Sequence, residues 1–144
     1  MQIALDLARE AGADSDTPVG CVIVDPAGVV VGRGRNRRET DKNAAAHAEI
    51  AAIVDACETL GDWRLSGCSV YVTLEPCPMC AGAVIMSRID RLYYGAREPQ
   101  TGSCGSVLNL FMEPYGHKVQ ITGGILADDC SALLSEFFSK LRGG

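Results

Sequence analysis

Ser69-Val70-Tyr71-Val72-Thr73-Leu74-Glu75-Pro76-Cys77-Pro78-Met79-Cys80 decides how this chain is read. Ser69 to Thr73 has the β-branched and aromatic content of a strand. Pro76 then suits the first position of a helix expected to run to about Ser87. Cys77 and Cys80 fall in its first turn. Three residues apart, they present both sulfurs on one helix face and can grip one ion. A helix N-terminus also favours thiolate over thiol. Arg91 to Gly95 reads as the next strand. Together these segments form a strand-helix-strand unit, which should be a parallel crossover.

Upstream, Val19 to Asp25 and Val29 to Arg33 are β-branched runs separated by Pro26-Ala27-Gly28, a hairpin signal. The first run is nearly all apolar and is expected to be central in the sheet. Ala44 to Leu60 is a helix by composition, with His47 and Glu49 in its first turn or two and Gly61 able to cap its end. Ile3 to Ala11 carries a helical stripe at Ala4, Leu7, Ala8 and Ala11, and Gly12 can end it. Downstream, 97–109 is expected to be loop and Lys118 to Thr122 a last strand. Asp128 to Arg142 reads as a final helix, acidic at its start and basic at its end. Five strands alternating with helices predict an α/β fold, one sheet with helices on both faces. Ligands in such sheets sit beyond the carboxyl ends of the strands. No repeat, low-complexity segment or linker interrupts 1–144, so one domain is expected.

His47-Ala48-Glu49 answers the cysteine pair. Zinc takes thiolate and imidazole ligands in a tetrahedron, and a catalytic site uses three protein ligands and keeps the fourth position for water. His47, Cys77 and Cys80 supply that count of three. Positions i and i+2 of a helix do not face the same way, so Glu49 is not read as a fourth ligand. It is placed instead to act as general base and then general acid. Taken singly, the pieces allow blander readings. C-x-x-C can be a redox pair or half of a structural zinc knuckle, and iron competes for the same ligands.

The totals set bounds. Hydrophobic residues make up 47% and charged residues 22%, a globular balance. No apolar run reaches the ~18 residues of a membrane span. The N-terminus lacks the form of a signal peptide, so a cytoplasmic location without membrane attachment is expected. Of seven cysteines, Cys21, Cys57, Cys68, Cys104 and Cys130 are scattered singly and are read as structural apolar fillers. The net charge of −5 does not advertise a nucleic-acid binder. Even so, Arg33, Arg35, Arg37, Arg38 and Lys42 crowd into ten residues, and such a patch can hold phosphates on an acidic protein.

H-x-E followed by P-C-x-x-C is the signature of zinc deaminases acting on cytosine or adenine. Further marks are Pro18-Val19-Gly20, Asn36, Val72 to Ala83, Ser87-Arg88-Ile89, Gly95-Ala96-Arg97, Thr101-Gly102 and Gly124-Ile125-Leu126-Ala127-Asp128. With them the chain resembles the bacterial tRNA-specific adenosine deaminases of the cytidine deaminase superfamily, from about Pro18 to Phe138. The resemblance implies a three-layer α/β/α fold with a mixed five-stranded sheet, a homodimer, one zinc per subunit, and conversion of adenosine to inosine at the wobble position of a tRNA anticodon. It assigns zinc to His47, Cys77 and Cys80, proton shuttling to Glu49 and hydrogen bonding of the base to Asn36. Val19 and the backbone around Ala48 would line the base pocket, with Phe137 or Phe138 near the anticodon loop. Arg35, Arg37 and Arg38 become phosphate contacts beside a base-reading side chain. Glu98-Pro99 departs from the more usual Asp and small residue in a loop expected to touch RNA. The competing readings are a zinc deaminase of a free nucleobase or nucleoside, such as guanine or cytosine, and a non-catalytic zinc-stabilised RNA-binding domain.

Overall fold

The computed structural model describes residues 1–143. The two β-branched runs fold back on each other as β1 (Gly20–Val24) and β2 (Val30–Arg35), paired antiparallel. Asp25 ties the turn between them, its Oδ1 accepting from the N–H groups of Ala27 and Val29. On its other edge β1 pairs antiparallel with β3 (Ser69–Leu74). The crossover from β3 to the parallel β4 (Arg91–Ala96) runs through α3 (Pro78–Met86). β5 (Gln120–Thr122) adds a parallel edge. The order β2-β1-β3-β4-β5 is a mixed five-stranded sheet. It puts the apolar β1 in the interior, as its composition predicts.

α1 (Gln2–Ala13) and α4 (Ala127–Arg142) touch each other and lie on one face, where Leu5, Ala96 and Cys130 form a small core. α2 (Ala48–Leu60) and α3 pack together on the other face, over the larger core that holds Cys21, Ile23, Val70, Val72 and Val84. The result is a three-layer α/β/α stack. The contact between α2 and β2 is made by missing side chains. A β-carbon on Gly34 would overlap the Ala48 carbonyl and the Ala52 nitrogen, and one on Gly32 would overlap the Ala52 carbonyl. Ala48, Ala52 and Ala56, one helix stripe four residues apart, are fully buried there. This close approach fixes where α2 begins relative to the sheet, and so where His47 and Glu49 stand.

The helix starts differ from the sequence expectation, for local reasons. α2 begins at Ala48, not Ala44, because Asn43 takes the chain into a turn: its Oδ1 accepts from Ala45 N at 2.9 Å. Asn competes with helix in this way. α3 begins at Pro78, not Pro76, because a residue preceding proline is driven to extended backbone, and Cys77 sits at φ −75°, ψ 173°. Pro78 takes the first helical position instead. α1 runs through Gly12 to Ala13, and the last strand starts at Gln120 rather than Lys118.

Candidate metal centre and active site

Both helix starts bring the expected ligand side chains to helix ends. His47 is the residue before α2 in extended conformation, Cys77 is the residue before α3, and Cys80 lies one turn inside it. His47 Nδ1 lies 3.6 Å from Cys77 Sγ and 3.5 Å from Cys80 Sγ. The three donor atoms all fall within 4.8 Å of one another. A hydrogen bond from Cys80, against the opposing effect of burial, and then one from His47 hold the Cys77 thiol well below its usual range. The thiolate is the form a metal needs. One imidazole nitrogen and two sulfurs at this spacing fit a zinc ion by donor type and by number.

Glu49 stands beside this set without joining it. It is 4% exposed. Burial raises its carboxyl to about 7, and the negative charge of Cys77 adds to the rise, while its own backbone N–H pulls the other way. A carboxyl poised near neutrality can take up and release a proton with little driving force either way.

A cavity of about 270 Å³ opens onto the centre. Val19, Asn36, His47, Ala48 and Glu49 line it, as the sequence reading expects, with Arg38 and Phe138 at the same wall set. Asn36 is held at both ends: Nδ2 donates to Thr17 O at 3.1 Å and Oδ1 accepts from Arg38 N at 3.1 Å. Each atom keeps a second bonding direction, one N–H and one lone pair.

Other expected contacts are not gathered there. Phe137 lines a separate groove between α1 and α4 with Arg9, Leu133 and Lys140. Arg35 is turned away to Glu10 of α1 and to Asp14 just after it. Arg37 pairs with Asp41 in an exposed contact at 3.2 Å. Of the three arginines, Arg38 alone lines the cavity.

The structure adds residues that the sequence reading did not single out. Gln100 completes the cavity wall beside Leu74, Glu75, Glu98 and Thr101, which the resemblance marks without placing them in the pocket. Asp16, fully buried, accepts from Glu39 N at 2.7 Å and Thr40 Oγ1 at 2.6 Å. It anchors the arginine-rich segment to the end of α1. An acidic residue in a short polar run just after a helix offers no sequence signal for such a role.

The sequence pattern described as the cytidine and deoxycytidylate deaminase zinc-binding region matches residues 1–96. A tRNA-specific adenosine deaminase of Bacillus subtilis is 43% identical over 99% of this chain and 88% of its own. One of Haemophilus influenzae is 43% identical over 99% and 83%. A solved structure from studies of A-to-I editing by tRNA:A34 deaminases superposes with a TM-score of 0.89 at 43% identity, covering 93% of this chain and 97% of that one. A guanine deaminase from Nitrosomonas europaea superposes with a TM-score of 0.84 at 28% identity, over 96% and 82%. On these matches and on a His/Cys/Cys set that suits one zinc, the chain belongs to the zinc-binding cytidine and deoxycytidylate deaminase family, on its tRNA-specific adenosine deaminase branch.

Proposed function

We propose that this chain is a zinc-dependent hydrolase that converts adenosine to inosine at the wobble position of tRNA anticodons. The observation that carries this reading is the convergence of His47, Cys77 and Cys80 beside a cavity that His47 and Cys77 line, with the Glu49 carboxyl buried next to them and outside their set. We assign His47, Cys77 and Cys80 as the zinc ligands. Zinc bound there lowers the pKa of water and so supplies a nucleophile near neutral pH.

Glu49 takes a proton from the attacking water and delivers it to the amino nitrogen on C6 of the base; the C6–N bond breaks as ammonia leaves, the water oxygen stays on C6, and its second proton ends on N1 to give inosine. The reacting carbon lies in a base ring, so the base must leave any stack before it can enter the cavity. An anticodon loop is single-stranded and presents unstacked bases. Asn36 hydrogen-bonds the purine edge through its spare N–H and lone pair. Val19 and the backbone at Ala48 bound the ring, and Phe138 supplies an aromatic wall toward the loop. Arg38 is the phosphate contact. Arg35 and Arg37 pair with carboxylates away from the cavity, whereas Arg38 lines it and makes only a long, exposed 3.7 Å contact with Glu39.

We read residues 1–144 as one catalytic domain that works as a homodimer in the cytoplasm, where its tRNA substrate would be met. Apolar surface at Met86 of α3 and at Val107, Leu108 and Met112 of the adjoining segment is exposed, in keeping with a subunit contact. Among the described residues no helix is long and apolar enough to cross a membrane.

The likeness to a guanine deaminase defines the competing substrate. The deciding assay offers the purified protein an anticodon stem-loop alongside free guanine, cytosine and adenosine. Inosine in the stem-loop is the expected product. Turnover of a free base with an inert stem-loop would assign the site to nucleobase deamination.

A further inference from the structure

Glu75 is a buried carboxylate, 2% exposed, at the end of β3. Every hydrogen-bond donor that reaches it comes from one loop. Its Oε1 accepts from Glu98 N at 3.1 Å and from the Ser106 hydroxyl. Its Oε2 accepts from Cys104 N at 2.9 Å and Ser106 N at 3.1 Å. Four donors fill the four lone-pair sites of a carboxylate, so Glu75 has no bonding capacity left for substrate or metal. Gly102 lies against the same group: a β-carbon there would overlap the Glu75 carboxyl carbon and the Glu98 carbonyl. The loop held in this way, 98–106, carries Glu98, Gln100 and Thr101 into the cavity wall.

We propose that Glu75 is a positioning residue for RNA: its carboxylate clamps the 98–106 loop so that Glu98, Gln100 and Thr101 form the wall that receives the nucleotides flanking the reacting base. This rests on the reading of the site as an RNA adenosine deaminase. A carboxylate suits the place because three backbone N–H groups and one hydroxyl, from Glu98, Cys104 and Ser106, all donate to it. In Glu75→Gln, one of the two acceptor atoms becomes an NH2 group, and whichever side it takes it faces at least one backbone N–H that can only donate, Glu98 N on one side or Cys104 N and Ser106 N on the other. The metal ligands and Glu49 are untouched, so binding suffers and the chemical step does not.

The test uses full-length Glu75→Gln and, as a milder change that removes one hydroxyl donor at a half-buried position, Ser106→Ala. The first readout is amide hydrogen exchange, which needs no activity. Exchange at Glu98, Cys104 and Ser106 is expected to speed up in Glu75→Gln, while β3 and β4 amides stay protected. The second is steady-state deamination of the stem-loop. KM is expected to rise about tenfold in Glu75→Gln and less in Ser106→Ala, with kcat within about twofold of the parent and zinc per chain unchanged. Should Glu75→Gln not fold, Ser106→Ala decides by the same readouts. Unaltered exchange at the three amides, or a fall in kcat at constant KM, would overturn the clamp. A parent protein inert toward the stem-loop would instead remove the RNA reading, and the exchange data would still decide whether Glu75 holds the loop.

Discussion

Cys104 and Cys80 are both shielded cysteines close to the cavity, yet their surroundings assign them opposite roles. Both thiols are raised, Cys80 first by its hydrogen bond to Cys77 and Cys104 by burial, so position separates them: Cys80 Sγ lies 3.5 Å from His47 Nδ1, and Cys104 lies outside the converging donor set. Cys77→Ser or Cys80→Ser is therefore expected to lower bound zinc well below one ion per chain, and Cys104→Ser to leave it unchanged, as read by metal analysis of the three proteins. Glu49→Ala separates proton transfer from metal binding. Zinc content and thermal stability should hold while inosine formation drops at least ~10²-fold; loss of metal in that variant would make Glu49 a ligand. At this scale much was legible in sequence, because ligand chemistry restricts residue type and spacing together. Phe137 and Phe138 show the limit. Both are aromatic and adjacent, and only the rotation of about 100° per helix residue sends one to the cavity and the other to the α1–α4 groove.

The elements were legible by kind and less so at their ends. Hydrophobic runs locate a helix or strand, but Asn43 and the Cys77-Pro78 step decide where α2 and α3 start, through turn chemistry and proline sterics. Those ends set the site, so an error of two to four residues there misplaces the ligands while leaving the fold recognisable. Gly34→Ala tests the close approach of α2 to β2. Its methyl would press on Ala48 and Ala52, and overpacking of this kind costs about 1–3 kcal/mol. A lower denaturation midpoint is expected, together with reduced zinc occupancy, since His47 moves with the helix start. Asp16 gives the arginine-rich segment a pH signature. Burial alone would raise its pKa, but hydrogen bonds from Thr40 and from the backbone of Glu39 and Thr40 win and hold it below the usual carboxylate range. A carboxyl depressed in the folded state stabilises fully above its unfolded pKa and loses that contribution as pH falls through the folded one. The stability gap between the parent and Asp16→Asn should be largest near neutral pH and close below about pH 4, read by denaturant unfolding across the range.

For the whole molecule, charge is distributed rather than summed. The chain carries −5 overall, yet Arg38 lines the cavity with only a long 3.7 Å contact to the adjacent Glu39, while Arg35 and Arg37 are drawn away from it to closer acids. A count of arginines could not reveal that partition, because the partners Glu10, Asp14 and Asp41 are identified only by folding. Removing charge at Arg38 should weaken stem-loop binding and flatten its salt dependence by about one unit of slope, whereas Arg35→Ala should leave that slope unchanged. The three layers and the mixed sheet came with the family resemblance, whereas one sheet with helices on both faces and the crossover through α3 followed from the run of strands and helices, because such alternation has few right-handed solutions. The loop from Glu98 to Ser106 did not, since its shape depends on a single carboxylate more than twenty residues away. The function of the whole molecule depends on the metal centre. X-ray absorption at the zinc edge of the purified protein tests it most directly: one zinc per chain bound by two sulfurs and an imidazole, with the remaining coordination from light atoms, is expected, and a shell of four sulfurs, or one without sulfur, would contradict the account.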